Sequence, residues 1–308
     1  MGQQEITAFS PASVGNAGPG FDLLGHSLQG PGDRVSVRRI ESREIVIEAI
    51  SGCVTELPRD ARSNTAGKAL LSLQAALDLP HGFALRIHKG IPLGSGLGGS
   101  AASCVAALVA ANALLPQPLE RHELYPHALA GEAAASGSAH GDNVAPMLLG
   151  GLVLASSDRL TPIPVPDTLY CALVHPDQVL ETRRAREILQ GTYLLADVVH
   201  QMSHLAQLIS GCYRQDIDLI RCGLADVLVE PRRAALIPGF HSAKQAAMES
   251  GALGASISGA GPSIFAWFEG EEAARQGGVA MQATFSNQSI ASQLYVSPVA
   301  GPAAEVLS

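Results

Sequence analysis

A dense cluster of glycines between a predicted strand and a predicted helix limits the folds open to this chain. Residues 94–100 contain four glycines and two serines, within the segment IPLGSGLGGSAAS at 91–103. Glycine accepts positive φ and lets other groups approach the backbone closely. Such a loop at the start of a helix presents N–H groups which, together with the helix dipole, bind phosphate. The segment therefore predicts a polyphosphate site; the alternative is a tight turn without a ligand.

Two familiar phosphate-binding patterns do not describe this part of the chain. A Walker A loop places Lys-Ser or Lys-Thr after its last glycine, whereas Gly99 is followed by Ser-Ala. The spacing of residues 94–99 does match the dinucleotide pattern G-x-G-x-x-G. However, the acidic residue expected about 20 positions later would be Glu120, which stands at a predicted helix start and not at the end of a strand. Both patterns are therefore disfavoured.

Length and composition predict a globular protein of two domains. The chain has 308 residues, which at about 150 residues per domain predicts domains at 1–160 and 161–308, divided near the proline-rich run at 161–166. Twenty basic and 28 acidic residues give a net charge of −8, and no run of basic residues stands out. A nucleic-acid partner is therefore not expected.

Cysteine usage and hydropathy predict a cytoplasmic protein. The five cysteines are scattered and odd in number and form no C-x-x-C motif, which is typical of a reduced, intracellular chain. The first residues lack the basic start and the apolar run of a signal peptide. Apolar stretches around 104–115 and 147–155 are too short to cross a bilayer, so no membrane partner is expected.

Hydrophobic spacing predicts strands and helices mixed along the chain. Predicted strands lie at 6–9, 35–40, 45–50, 83–88, 151–155, 169–174, 255–258, 263–268 and 292–296. Predicted helices lie at 63–79, 100–115, 120–135, 182–189, 193–210, 216–222, 240–250 and 271–285. Because the two types do not alternate strictly, the order favours an α+β fold over a doubly wound sheet.

Several segments resemble motifs of the GHMP kinase superfamily, and they occur in that family's order. The loop at 91–103 resembles P-x-G-x-G-L-G-S-S-A-A. PASVGNAGPGFD at 11–22 resembles the homoserine-kinase form P-x-[ST]-x-x-N-L-G-P-G-F-D, and GASISGAGPS at 254–263 resembles the third GHMP motif. Segments at 131–146, 182–186 and 230–240 resemble homoserine kinases through H-x-D-N-x-x-P, T-x-x-A-R and E-P-x-R-x-x-L-x-P-G-F.

The resemblance implies a two-domain GHMP fold with the nucleotide in the cleft between the domains. It also implies ATP and Mg²⁺ as cofactors and phosphorylation of L-homoserine in threonine biosynthesis. Members of the family often dimerise, so a homodimer is an open alternative. Two further alternatives are a GHMP kinase for another small alcohol, such as a mevalonate derivative, and an inactive GHMP-fold sensor. Two arginines and an aspartate suit a zwitterion better than a simple acid, and a retained metal site disfavours an inactive protein.

By resemblance, a loop and one asparagine bind the nucleotide. The loop residues are Pro92, Leu93, Gly94, Ser95, Gly96, Leu97, Gly98, Gly99, Ser100, Ala101 and Ala102. Asn64 matches the family position that contacts adenine, but an asparagine here would equally serve as the N-cap of the helix at 63–79. Ser100 and Glu132 would be the oxygen ligands of Mg²⁺. The alternative for Glu132 is a solvated helix carboxylate.

By resemblance, the amino-acid substrate is bound at both charged ends. Arg186 and Arg233 match the carboxylate-binding pair, a role that suits the planar guanidinium. Asp22 offers a carboxylate to the α-ammonium group. The side chains expected to give the substrate neutral hydrogen bonds are Asn16, His140 and Thr182. The alternatives are surface ion pairs for the arginines and a turn-capping role for the asparagine and the aspartate.

The catalytic base is left open by the sequence. Several GHMP kinases place an aspartate near the reacting hydroxyl, whereas homoserine kinases carry an asparagine there, which Asn143 matches. An amide cannot accept a proton, so Asn143 would orient the hydroxyl and the proton would pass to the γ-phosphate or to water. Asp142 is the alternative base. By resemblance, the residues assigned to catalysis are Glu132, Asn143 and Arg233.

Two features lie outside the family pattern. Gly99 replaces the first serine of the loop's Ser-Ser pair, and glycine and alanine flank Asn16 where alanine and leucine are usual. We expect these changes to affect packing and not chemistry. His200 and His204 stand one helical turn apart, a spacing that a metal site could use, but without a nearby acidic third ligand they are expected to be packed or solvated side chains.

Overall fold

The computed structural model of the protein describes residues 4–136 and 140–307, so residues 137–139 of the segment 131–146 lie outside the described residues. The strands are β1 (Glu5–Gly15), β2 (Leu24–Ile40), β3 (Ile45–Gly52), β4 (Gly82–Lys89), β5 (Leu152–Ala155), β6 (Leu160–Ile163), β7 (Leu169–Pro176), β8 (Gly254–Ile257), β9 (Ile264–Glu269), β10 (Ser292–Pro298) and β11 (Glu305–Leu307). The helices are α1 (Thr65–Ala76), α2 (Gly99–Ala113), α3 (Tyr125–Ser136), α4 (Gly141–Leu149), α5 (Thr182–Glu187), α6 (Leu195–Arg214), α7 (Ile217–Gly223), α8 (Glu230–Arg233), α9 (Phe240–Glu249) and α10 (Glu271–Ser286). Short 3₁₀ helices cover Arg121–Leu124 and Ala234–Leu236.

The strands form two sheets. The first has the order β11-β1-β2-β4-β3, with β5 pairing with β2 and β6 with β5. Its pairs are antiparallel except for β3 with β4. The second sheet has the order β10-β7-β9-β8 and is antiparallel throughout. Antiparallel sheets accompanied by helices confirm the predicted α+β class.

β2 is much longer than the predicted strand at 35–40. Its first half contains the sequence Gly-Pro-Gly at 30–32, which is typical of a turn but here belongs to an irregular pairing with β1. Pro11 pairs with Gly32 and Ala12 with Leu28, so residues 29–31 bulge between them. The pairing then continues to Gly15, which brings the segment 11–22 to the same end of the sheet as the glycine-rich loop.

α2 is the most completely buried helix described. Every residue from Ala101 to Asn112 is buried, as predicted from its small and apolar side chains. Those small side chains let α2 pack closely against β1 and β2 on one side and against α1 and α3 on the other. This packing fixes the start of α2, and with it the end of the glycine-rich loop. Despite such apolar stretches, no helix within the described residues combines the length and hydropathy that membrane crossing requires.

A buried pair of rings joins the two sheets. Trp267 on β9 donates from Nε1 to His26 Nε2 on β2, at 3.2 Å, and both side chains are fully buried. Burial lowers the pKa of His26 to about 4, so the ring is neutral at physiological pH. With Nδ1 donating to the Ser27 carbonyl at 2.9 Å, Nε2 is left as the acceptor for the indole. The contact holds the sheets together at a fixed position.

The chain returns to the first sheet at its C-terminal end. β10 was the last strand predicted, which is wrong, because β11 follows and pairs with β1. No pattern in three residues distinguishes β11; its register is fixed by β1 and by Ala304, whose N–H donates to the Met147 carbonyl at 2.7 Å. β6 also pairs within the first sheet, and it includes the start of the proline-rich run at 161–166. The division into domains at 160 and 161 stays a prediction.

Candidate active site

The glycine-rich loop follows β4 and ends where α2 begins. Gly94, Gly96 and Gly98 have φ of +60°, +75° and +71°, a region that other residues rarely adopt. At Gly96 an added Cβ would lie 2.5 Å from the carbonyl oxygen of Ser258. At Gly98 it would lie 2.6 Å from Ser13 Oγ. Both conformation and space therefore require glycine at these two positions.

Serine side chains beside the second sheet hold the carbonyl oxygens of the loop. Ser263 Oγ donates to the Ser95 oxygen at 2.6 Å, and Ser258 Oγ donates to the Gly96 oxygen at 2.7 Å. A trans peptide directs its oxygen and its N–H to opposite sides. Because the Ser95 and Gly96 oxygens point toward the serines, the N–H groups of Gly96 and Leu97 point away from them. These N–H groups are therefore available to a ligand.

A cavity of about 230 Å³ collects residues from all six family-like segments. The predicted site residues that line it are Asn16, Pro92, Leu93, Gly94, Ser95, Gly96, Gly98, Gly99, Ser100, Glu132, His140, Asn143, Thr182, Arg186 and Arg233. Asp142, Gly259 and Ala260 also line it. Asp22 is not among the lining residues but contacts two of them, Arg186 and His140.

Four predicted nucleotide-binding residues do not line this cavity. Asn64 is the N-cap of α1, since its Oδ1 accepts from the N–H groups of Ala66 and Gly67 at 3.0 and 3.3 Å. Its Nδ2 donates to a backbone carbonyl at 2.9 Å, so the amide is engaged at both ends. Of the two roles that the sequence left open for Asn64, the structure shows the cap. The other three side chains, which are fully buried, belong to Leu97, Ala101 and Ala102.

Ser100 and Glu132 form a pair of adjacent oxygen groups at the start of α2. Ser100 Oγ donates to Glu132 and lies 3.0 and 2.9 Å from its two carboxylate oxygens. Burial raises the pKa of Glu132 to about 7, against the opposing effect of the hydrogen bond from Ser100. The alternative of a solvated helix carboxylate therefore does not hold. A nearby cation would favour the ionised form.

Asp22 and Arg186, the groups expected to bind opposite ends of an amino acid, bind each other. Arg186 donates to both carboxylate oxygens of Asp22, at 2.8 and 3.0 Å, across 164 residues of chain. His140 Nδ1 lies 3.2 Å from Asp22 Oδ2. Burial lowers the pKa of His140, which favours the neutral ring. Arg186 is thus in an ion pair, as one alternative held, and it also lines the cavity.

Asn16 shapes the turn that carries Asp22. Its Oδ1 accepts from the Asp22 N–H at 2.8 Å, and its Nδ2 donates to the Gly259 carbonyl at 2.7 Å. Asn16 and Asp22 have φ of +57° and +58°, which asparagine and aspartate tolerate better than most residues. Asn16 is thus a turn-capping residue, as one alternative held, while it also lines the cavity.

Arg233 is a fully buried arginine that reaches the cavity from α8. Its Nε donates to the Ala185 carbonyl at 2.9 Å and its Nη1 to the Gly259 carbonyl at 3.0 Å. Burial lowers the pKa of Arg233 to about 10, so it stays charged at neutral pH. The ring of Phe21 lies 5.2 Å from this guanidinium and 5.6 Å from that of Arg186. The two like charges therefore lie on the same aromatic ring.

Asn143 and Asp142, at the start of α4, have different surroundings. Asn143 Oδ1 accepts from Ser13 Oγ at 2.8 Å, which leaves Nδ2 as the group able to donate elsewhere. Asp142 Oδ2 accepts from the Asn16 N–H at 3.1 Å. Burial, with help from the negative charge of Asp22, raises the pKa of Asp142 to about 7.

Several contributors to this site were not predicted from the sequence, among them Phe21, Gly259 and Ser13. Phe21 and Gly259 lie inside family-like segments, but nothing in their residue type or spacing distinguishes them from their neighbours. Ser13 likewise orients Asn143 from 130 residues away. The only signal in the sequence was the position of these residues inside family-like segments, because each contact depends on tertiary structure.

The fold and the site define a class of enzyme. Residues 64–151 match the GHMP kinases N terminal domain and residues 208–287 match the GHMP kinases C terminal domain. The protein is therefore an ATP-dependent kinase that acts on a small molecule.

Relatives that match over the full length of the chain narrow the class of kinase further. A homoserine kinase from Xanthomonas campestris pv. campestris is 58% identical over 307 residues, covering 100% of this chain and 95% of that protein. The crystal structure of homoserine kinase from Cytophaga hutchinsonii matches with a TM-score of 0.95 at 42% identity, over 100% of this chain and 98% of that one. This chain belongs to the homoserine kinase family of GHMP kinases. L. major mevalonate kinase in complex with R-mevalonate shares the fold alone, with a TM-score of 0.65 at 16% identity over 96% of each chain.

The loop geometry predicts different outcomes for two neighbouring glycines. Gly98→Ala places a side chain at φ +71° and against Ser13 Oγ, so kcat/KM for ATP is expected to fall about 100-fold. Gly99→Ala is the matched control, because Gly99 lies in the helix and its added Cβ would come no closer than 3.1 Å, to Ile91 Cγ2. Its activity should stay within about threefold of wild type. Equal losses in steady-state kinetics of both variants would contradict this account of the loop.

The raised pKa of Asp142 predicts a pH-dependent gain in stability on Asp142→Asn. The folded state holds a proton on Asp142 up to about pH 7, whereas the unfolded chain releases it near 3.8, so wild-type stability falls as pH rises through this window. Asparagine removes that loss and can still accept from the Asn16 N–H. The variant should melt about 2 °C or more above wild type at pH 8, with no gain near pH 4. Thermal melts without ligand check this, and a difference independent of pH would contradict it.

Proposed function

We propose that this chain transfers the γ-phosphoryl group of ATP to the side-chain hydroxyl of L-homoserine, giving O-phospho-L-homoserine and ADP for threonine biosynthesis. The hydroxyl oxygen forms a bond to the γ-phosphorus as the bond to the β,γ-bridging oxygen breaks, and the hydroxyl proton is lost. One observation carries the proposal: the glycine-rich loop and a set of groups complementary to a zwitterion line or border the same cavity.

The loop and the first turn of α2 form the proposed nucleotide end. The first N–H groups of a helix have no partner within the helix, and its dipole favours negative charge there. With the Ser95 and Gly96 oxygens fixed by hydroxyl groups, the N–H groups of the loop need not move to receive phosphate. Such preorganised donors stabilise charge that builds up during phosphoryl transfer.

Ser100 and Glu132 would hold Mg²⁺ at this end. Two hard oxygen groups within 3.0 Å of each other fit an ion that takes few protein ligands and keeps phosphate and water oxygens. In the described part of the chain, no three histidine, cysteine or acidic side chains cluster to hold a metal by themselves. That agrees with an ion that binds together with the nucleotide. When bound, Mg²⁺ neutralises charge on the transferring phosphoryl group.

The substrate end follows from the charges around Asp22. A zwitterion that places its ammonium at Asp22 and its carboxylate at Arg186 replaces one ion pair with two. Arg233 adds a second positive charge, and both guanidinium groups contact the ring of Phe21. His140 and Thr182 line the same space and can hydrogen-bond the amino acid without altering the charge balance.

Asp142 and Asn143, in the first turn of α4, would lie beside the reacting hydroxyl. Asn143 Nδ2 can donate to the hydroxyl or phosphoryl oxygen, since its Oδ1 is engaged by Ser13. It orients and cannot take the proton, which passes to the phosphoryl group or to Asp142. The pKa of about 7 for Asp142 suits a group that accepts a proton near neutral pH.

Substrate choice is tested by ADP release from MgATP with L-homoserine, L-serine, L-threonine, mevalonate and galactose. Release should be fastest with L-homoserine, because it alone among these combines a zwitterion with a hydroxyl two carbons beyond the α-carbon. Equal or better turnover of mevalonate would contradict the proposal. Nucleotide binding without turnover of any alcohol would favour the sensor.

Arg186→Met tests the carboxylate contact itself. Charge-assisted hydrogen bonds contribute about 1.5–3 kcal/mol, so kcat/KM for homoserine should fall by at least about tenfold. The control substrate is the carboxamide of homoserine, which wild type should disfavour by a similar factor and the variant should disfavour less. KM for ATP should change little. The same loss on both substrates would show that Arg186 does not bind the carboxylate.

Glu132→Gln tests the metal site. Without the carboxylate the ion is held more weakly, so kcat should fall about 100-fold or more and the Mg²⁺ needed for half-maximal rate should rise. The fold should be retained, because the amide can still accept from Ser100. Melting temperature serves as the control. Near-normal turnover at limiting Mg²⁺ would remove Glu132 from the site.

A further inference from the structure

A buried ionic cluster lies behind the phosphate loop, outside the residues that line the cavity. Lys89 Nζ donates to Asp33, to Ser103 Oγ at 2.9 Å and to the Gly99 carbonyl at 2.6 Å. Ser103 Oγ donates in turn to Asp33 Oδ2 at 2.6 Å. Lys89 and Asp33 are only 2% and 0% exposed. We call Asp33, Lys89 and Ser103 the loop brace.

The loop brace contacts both ends of the loop. Asp33 Oδ1 accepts from the N–H groups of Gly90 and Ile91, at 2.9 and 3.2 Å, directly after β4. Lys89 reaches the other end through the Gly99 carbonyl, the first of α2. The Lys89–Asp33 ion pair therefore contacts the chain both where β4 ends and where α2 begins.

Stability alone does not account for charges in this position. Removing an ammonium and a carboxylate from water costs free energy, and a buried ion pair is often replaced by apolar residues without loss of stability. A pair of apolar side chains would fill the space but would not hold the Gly99 carbonyl or the N–H groups of Gly90 and Ile91. The distinctive property of the brace is its set of directed contacts with the loop.

We propose that the loop brace positions the phosphate loop for nucleotide, with Lys89 and Asp33 as positioning residues for phosphoryl transfer. Lys89 fixes the peptide plane between Gly99 and Ser100, and so the direction of the Ser100 N–H. Ser100 also carries the hydroxyl group that we assign to Mg²⁺. The inference rests on the proposed role of this loop in binding ATP and does not depend on which alcohol is the acceptor.

Two neutral double variants separate positioning from simple packing. Lys89→Met with Asp33→Asn removes both charges and the donor to the Gly99 carbonyl, while the new amide can still accept from Gly90 and Ile91. Lys89→Gln with Asp33→Asn is the matched control, since glutamine keeps a donor for that carbonyl. Both avoid leaving one buried charge without its partner. Melting temperatures establish that the compared proteins are folded.

The methionine pair should raise the Kd of MgADP at least about tenfold while leaving the Kd of adenosine, which has no phosphate, within about twofold. The glutamine pair should recover at least about fivefold of the loss. KM for homoserine should stay near wild type in both. Equal MgADP affinity for wild type and a folded methionine pair would overturn the proposal, as would equal losses in the two pairs.

A single variant keeps the proposal testable if the methionine pair does not fold. Lys89→Arg retains the charge but carries its donors on a longer, planar group, so the Gly99 contact cannot be reproduced. MgADP affinity should fall at least about fivefold, and unchanged affinity in the folded variant would overturn the proposal. Calorimetry with MgADP involves no alcohol, so a failure of homoserine turnover in wild type would be recognised separately.

Discussion

The hydroxyl groups of Ser258 and Ser263 hold the carbonyl oxygens of the phosphate loop, and the geometry of the candidate site depends on that contact. A loop rich in glycine loses much conformational entropy when it becomes ordered, so it needs partners outside itself. On one side these partners are the two serines, and on the other side they are the residues of the loop brace, Asp33, Lys89 and Ser103. Because the serines flank strands of the second sheet, the shape of the loop depends on how the two sheets pack together, to which the His26–Trp267 contact contributes.

Charge is arranged in the site so that a ligand completes it. Asp22, Glu132 and Asp142 are carboxylates within or beside the cavity, and Arg186 and Arg233 are the facing cations. Burial raises the pKa values of Glu132 and Asp142, so a nearby cation would stabilise the charged form of each. Mg²⁺ would be such a cation for Glu132. A zwitterion would give Asp22 and Arg186 separate partners. Under the proposed function, this complementarity would let the fold shared with mevalonate kinase serve a different substrate.

Local patterns predicted the parts of this structure that depend on local physics. The glycine loop, the buried helix α2 and the capping role open to Asn64 all follow from backbone conformation, side-chain size and capping chemistry. The missed elements include the first half of β2, which resembles a turn at 30–32, α4, which contains Pro146, and the short elements β6, α8 and β11, which span only three or four residues each. The ion pair of Asp22 with Arg186 and the hydrogen bond from Ser13 to Asn143 were equally inaccessible, because they join distant segments. The site residues were predicted by resemblance; their partners came from the structure.

The most direct test of the whole account is a crystal structure of the protein with a non-hydrolysable MgATP analogue and L-homoserine. We expect phosphates against residues 94–100, Mg²⁺ between Ser100 and Glu132, and the Asp22–Arg186 pair opened by the substrate. The ammonium should lie at Asp22, the carboxylate at Arg186, and the side-chain hydroxyl should point at the γ-phosphorus beside Asn143. Homoserine bound elsewhere, with the Asp22–Arg186 pair intact and no alcohol facing the γ-phosphate, would contradict it.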